Sequence, residues 1–217
     1  DVYKRQILRD PIERAYSDWW MMHSRGWDPL SFDAAINANL NRLEEGPDFS
    51  DPRDWVEHLA AIRDSGKVRY RTYVDYGFYG AQLSRYLEQG FHDRLLVLQF
   101  EQMRQHGISY LEKLFSFLEL EPPGSERLQE EFARPRNQAL PSRRIGQLVN
   151  LMYKLGVARY VPPGVKRAAK DLFGSHRHSD SITAETRARL KAIYQAQAKD
   201  LDYFPELDLS LWPSLRK

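Results

Sequence analysis

The pattern of apolar and polar positions changes period several times along the chain, and each change marks an element. After DVYKRQ, Ile7 and Leu8 read as the end of a buried strand, and Asp10-Pro11 follows as an N-cap with proline at the first helical position. Glu13 stands three residues after Asp10, as in a capping box. Ile12, Ala15, Tyr16 and Trp19 recur at i, i+3, i+4 and i+7, which predicts a helix with that stripe facing a core. Shorter helical patterns occupy residues 32–43 and 55–62, separated by Gly46-Pro47. Tyr76, Tyr79, Leu83, Tyr86 and Leu87 predict a helix over residues 76–87, stopped by Gly90. The period then changes: LLVLQF, residues 95–100, is an almost unbroken apolar run of strand length, as in a parallel sheet covered on both faces. Leu111, Leu114, Phe115 and Leu118 restore helical spacing as far as Pro122-Pro123-Gly124, and residues 143–173 carry one amphipathic pattern on each side of Pro162-Pro163-Gly164. A last helix runs from the N-cap Thr183 to about Leu201, with Leu190, Ile193 and Tyr194 inward. Strand, helix, then strand with helical covers predicts an α/β architecture.

Composition narrows the class. The 217 residues are 42% hydrophobic and 29% charged and include five Trp, twelve Tyr and ten Phe. One globular domain, 1–217, is expected, able to bury roughly 70% of the surface exposed when unfolded. The absence of Cys excludes thiol catalysis, thiolate zinc sites and disulfides. No apolar run approaches the roughly 20 residues of a membrane span, and no signal peptide is visible. The chain opens without Met, and its first six residues are set aside as a cloning or sequencing scar.

The net charge of +2 hides an uneven distribution. Residues 134–178 hold ten Lys or Arg against one acid, Asp171, a local +9; the remainder, with 22 basic and 29 acidic residues, carries −7. That segment is either a solvated basic face or a surface for an anionic ligand.

The segment ILRDPIERAYSDW, residues 7–19, holds the most informative chemistry. A strand delivers Arg9 to the carboxyl edge of the sheet, where open α/β folds bind ligands, and a capped helix starts at once. Arg9 offers a planar fork of donors for phosphate oxygens, and helix-start amides add partial positive charge. Ser17, five residues beyond Ile12, is rotated away from the apolar stripe. The alternative is an Arg in a surface ion pair and a solvated Ser.

This segment resembles the 3′-phosphate-binding motif of the sulfotransferases, in which a strand ending L-R-N/D-P precedes x-x-R-A-x-S on a helix. Leu8, Arg9, Asp10, Pro11, Arg14, Ala15 and Ser17 fill its defining positions. Downstream, YVDYGFYGAQLSRYLEQGF (73–91), RLLVLQFEQM (94–103) and FLEL (117–120) are similar in order to the bacterial and heparan-sulfate branches of that family. The resemblance implies a P-loop-NTPase-like parallel sheet covered by helices, helix-rich. It also implies that 3′-phosphoadenosine 5′-phosphosulfate (PAPS) supplies a sulfuryl group to an acceptor hydroxyl or amine of a glycan or small molecule, without a metal. Carried over residue by residue, Arg9 and Ser17 hold the 3′-phosphate, and Asp10 and Arg14 serve the helix. Arg177, in the Gly174–His178 loop, takes the place of a basic loop residue, although that loop departs from the family's K-G-R form.

The family's first strand and its phosphate loop, with the Lys and Thr or Ser that cradle the 5′-phosphosulfate, are expected upstream of Ile7. Gly66-Lys67 is not that loop: Val68 follows it, and Ala61 stands where a Walker loop needs its first Gly. These 217 residues alone are therefore expected to be inactive or nearly so, with the catalytic base unassigned. A bacterial enzyme would be cytoplasmic, whereas a Golgi enzyme would carry its anchor upstream.

His176, His178 and Asp180 read as a polar loop in preference to a metal site. Tyr76, Tyr79 and Tyr86 beside Arg85 read as core packing in preference to a stacking platform, so no nucleic-acid partner is expected. Glu101 reads as a cap or ion-pair partner in preference to an acid or base. Residues 143–173 fit a membrane surface, a lid over the donor, or a groove for an acidic glycan. A non-catalytic module binding acidic polysaccharide, lipid or nucleic acid through residues 134–178 remains the alternative to an enzyme.

Overall fold

A computed structural model describes residues 3–45, 71–124 and 182–216, together with the single positions Arg53, Val56, Ala60 and Glu126. The expected helix over 55–62, the Gly66-Lys67 dipeptide, the basic segment 134–178 with Arg177, and the His176/His178/Asp180 group lie outside the described residues, the isolated positions apart. The molecule divides into two compact units. One takes Asp1–Arg14, Tyr76–Arg136 and Arg187–Lys217; the other takes Ala15–Asp75 and Asn137–Thr186.

In the first unit, β1 (Lys4–Leu8) and β2 (Leu95–Gln99) pair in parallel, with Lys4 opposite Leu95 and Leu8 opposite Gln99, so that Lys4, Arg5 and Gln6, set aside above, take part in the sheet. Successive strand residues point to opposite faces. Leu8 enters the core, whereas Ile7, expected to be buried beside it, is 51% exposed. Helix α1 (Pro11–Ser24) starts where Asp10-Pro11 predicts, and Ile12, Ala15 and Trp19 are buried as its stripe requires. The core of the unit gathers Leu8, Val97, Tyr79 and Leu83 around Leu201, Phe204, Leu207 and Trp212.

The helix expected over 76–87 forms in two pieces, a 3-10 turn at Asp75–Gly77 and α3 (Tyr79–Glu88). Tyr79 and Leu83 are buried, but Tyr76 falls in the turn, outside the helical register, and is 44% exposed. Gly77 belongs there because the chain passes against a buried ring: a Cβ would lie 2.6 Å from Tyr194 Cε1. Gly90, at φ 78°, follows the helix as its stop signal predicts.

β2 ends one residue earlier than its apolar run. Gln99 is fully buried, its amide giving a hydrogen bond to the Asp208 carbonyl and accepting one from the Asp208 amide, both at 2.9 Å. Phe100 then opens α4 (Phe100–Gln105), followed by α5 (Gly107–Phe117). Helix α6 (Ala184–Gln197) begins at Thr183, whose hydroxyl accepts from the Thr186 amide at 3.2 Å, and it buries Leu190 and Tyr194.

The second unit packs the later part of α1 with α2 (Phe32–Glu45). Phe32 meets Tyr16 and Trp19 edge-on, with ring centroids 5.2 and 5.5 Å apart. Two buried polar side chains hold residues 71–75. Asn39 accepts from the Val74 amide at 2.9 Å and donates to Asp75 at 2.7 Å. Asp28 accepts from both Arg71 Nε (2.9 Å) and Nη2 (3.0 Å) and from the Tyr73 hydroxyl at 2.8 Å.

Candidate functional site

The carboxyl ends of β1 and β2 lie side by side because the strands are parallel and in register, and an open cleft of about 450 Å³ begins there. Arg9 follows β1 and Phe100 follows β2. The Arg9 guanidinium sits over the Phe100 ring, 5.2 Å from its centroid. Arg104, one turn further along α4, brings a second cation to the cleft wall.

Asp10 organises the start of α1. Its Oδ1 accepts from the amides of Ile12 (3.0 Å) and Glu13 (3.1 Å), and its Oδ2 accepts from the Ser214 amide at 2.9 Å. The cap predicted from sequence is therefore present, but two of the helix-start amides expected to attract an anion are already occupied by Asp10. The reciprocal half of the capping box does not form either. The Asp10 amide donates to Glu101 Oε1 at 3.0 Å, and Glu13 instead faces Arg9 and Arg187.

Glu101 uses both oxygens structurally, because its Oε2 accepts from the Trp212 indole at 2.7 Å. A carboxylate so engaged is a tie between segments held by two neutral N–H donors, where the sequence reading expected a helix cap or an ion-pair partner. Tyr79 ties the site from its other side: its hydroxyl donates to the Arg9 carbonyl at 2.8 Å. Burial pushes the Tyr79 hydroxyl pKa up to about 12, against the lowering influence of the nearby Arg14 charge. That hydroxyl stays protonated and keeps donating at neutral pH.

Ser17 lies on α1 two turns beyond the cap and is exposed. Arg14 turns to another groove, of about 430 Å³, where its guanidinium lies 6.0 Å from the Tyr76 ring. Tyr76 and Tyr86, read from sequence as core, line that groove with Arg85: Tyr76 falls in the turn before the helix, and Tyr86, although within it, is only half-buried. Sequence reasoning did not single out Arg104, Glu13 as a partner of Arg9, or Arg187. Arg104 and Arg187 sit on ordinary charged helix surfaces that only folding brings to the cleft or its edge, whereas the four-residue spacing of Arg9 and Glu13 was a signal already present in the sequence. Among the described residues, no group of three or more His, Asp or Glu is placed to hold a metal ion, and no helix is long and apolar enough to cross a membrane.

The family model of the sulfotransferase domain matches residues 6–202. The chain belongs to the sulfotransferase domain family. Among solved structures, it is similar to that of a sulfotransferase from Alicyclobacillus acidocaldarius, with a TM-score of 0.54 and 16% sequence identity. The likeness covers 98% of this chain and 57% of that one, so the chain spans a little over half the length of that protein. At this identity the likeness speaks for the fold, the α/β, P-loop-like sulfotransferase architecture expected from the sequence. A comparison with curated protein sequences gives no match. Within the sulfotransferase domain, the matched span contains Arg9, Asp10, Ser17 and Glu101.

Proposed function

We propose that the chain forms the nucleotide-binding part of a PAPS-dependent sulfotransferase acting on an acceptor hydroxyl or amine. Arg9 is the principal ligand of the donor's 3′-phosphate, Ser17 the second, and Arg177, ahead of α6 in the sequence, a further cation. The observation that carries this reading is the Arg9 guanidinium, only partly buried, standing in an open cleft at the carboxyl end of β1 within a sulfotransferase domain. A guanidinium matches phosphate oxygens bidentately, and its seat on the Phe100 ring limits the freedom that binding would otherwise remove.

In the reaction, the bond from sulfur to the bridging phosphate oxygen breaks as a bond to the acceptor oxygen or nitrogen forms. The acceptor proton leaves to a base, and the nucleotide departs as 3′-phosphoadenosine 5′-phosphate (PAP). By analogy with phosphoryl transfer, positioning and cationic stabilisation supply the rate. Arg9 serves positioning: it grips the nucleotide at its 3′-phosphate, a point remote from the reacting sulfur.

Calorimetric titration with PAP tests the reading. Saturable binding is expected, and Arg9→Ala should weaken it about tenfold or more, the loss typical of a charge-assisted hydrogen bond. Salt-sensitive binding of any polyanion without preference for the nucleotide would overturn it in favour of a non-catalytic polyanion-binding module.

A further inference from the structure

We infer that Glu13 sets the affinity of the Arg9 site as its resident counter-ion, and that Arg187 is the partner to which its carboxylate moves when an anionic ligand arrives. The inference rests on the reading of Arg9 as a phosphate ligand and deepens it.

Three carboxylates, Asp10, Glu13 and Glu101, line the cleft with two guanidiniums, Arg9 and Arg104. A phosphate dianion entering next to Arg9 meets a wall whose acids outnumber its bases, so binding is favoured if one carboxylate withdraws. Asp10 cannot withdraw without uncapping α1 and releasing the Ser214 amide. Glu101 cannot withdraw without stranding the Asp10 amide and the Trp212 indole.

Glu13 is differently placed. Its Oε2 is 3.9 Å from Arg9 Nη2 and its Oε1 is 3.5 Å from Arg187 Nη1, and the three side chains are 33%, 43% and 47% exposed for Arg9, Glu13 and Arg187. The Arg9 contact is too long for a hydrogen bond and amounts to Coulombic attraction through partly solvated space. A ligand dianion at Arg9 replaces that attraction and repels the carboxylate, while Arg187 on α6 already offers it a second cation. Arg187 is thus a positioning residue that acts through Glu13 and does not touch the ligand.

The test is a double-mutant cycle read by PAP titration at fixed low salt. Glu13→Gln should tighten binding about two- to fivefold and Arg187→Gln should weaken it by a similar factor, the range set by exposed ion pairs. The double variant should bind like Glu13→Gln alone, because Arg187 has nothing left to hold. Weakening by Arg187→Gln that persists in the Glu13→Gln background would place Arg187 on the phosphate itself and overturn the relay. Unchanged affinity in Glu13→Gln would overturn the counter-ion role while leaving the nucleotide site standing. Absence of saturable PAP binding by the unaltered chain, or indifference to Arg9→Ala, would fell the nucleotide reading and this inference with it, an outcome visible without any Glu13 variant.

Discussion

The fully buried Trp212 indole donates to Glu101 Oε2 at 2.7 Å, tying the C-terminal segment to the helix that leaves β2. With the Asp10 amide on the other oxygen, one carboxylate joins three stretches of chain. Glu101→Gln exchanges one acceptor for a donor facing another donor. Chemical denaturation should show a loss of about 1–3 kcal/mol. PAP affinity should rise modestly, because the cleft beside Arg9 loses one of its three carboxylate charges, whereas a large loss of affinity at unchanged stability would mean that Glu101 serves the ligand.

Ser17 is exposed, so Ser17→Ala should leave stability within about 0.5 kcal/mol. Its proposed role predicts PAP binding weakened about three- to tenfold, the worth of a single hydroxyl hydrogen bond. Binding of adenosine 5′-phosphate, which lacks the 3′-phosphate, should not change. Equal losses for both nucleotides would count against contact with the 3′-phosphate.

Gly77→Ala drives a methyl group into the Tyr194 ring, which is buried and has little room to yield. A loss of about 1–3 kcal/mol is expected from overpacking. Combining it with Tyr194→Leu should cost less than the sum of the two single changes, as measured by urea unfolding.

Acid should selectively weaken the second unit's Asp28 cluster. Burial raises the Asp28 pKa, but hydrogen bonds from Arg71, Tyr73 and the Leu30 amide, with the Arg71 charge, outweigh it and hold the carboxyl below its ordinary 3.8. A depressed folded pKa contributes stability above the unfolded value, and that contribution is lost as pH falls through the folded one. The stability gap between the unaltered chain and Asp28→Asn should therefore be constant near neutrality and shrink below about pH 4. A gap that does not depend on pH would contradict the assignment.

Much of the local structure was legible in the chain. The start of α1 at Asp10-Pro11, the buried stripe of Ile12, Ala15 and Trp19, the Thr183 cap and the stop at Gly90 all depend on neighbours three or four residues apart, or on one backbone angle. The same short-range signal named Arg9 and Ser17 as candidates, since strand end, cap and helix face are read from consecutive residues.

What the tertiary structure decided depends on partners far apart along the chain. Gln99 looked like a polar interruption in an apolar strand, yet it is buried because the backbone of Asp208, 109 residues away, satisfies its amide. Asp10 receives the Ser214 amide across 204 residues, and Glu101 the Trp212 indole across 111. Glu13 had the sequence signature of a capping box, but Glu101 took the Asp10 amide and left Glu13 between Arg9 and Arg187. Periodicity encodes which face of an element is apolar. It carries no information about which distant donor reaches a carboxylate first, and that competition decides which acids hold the fold together and which remain free to respond to a ligand.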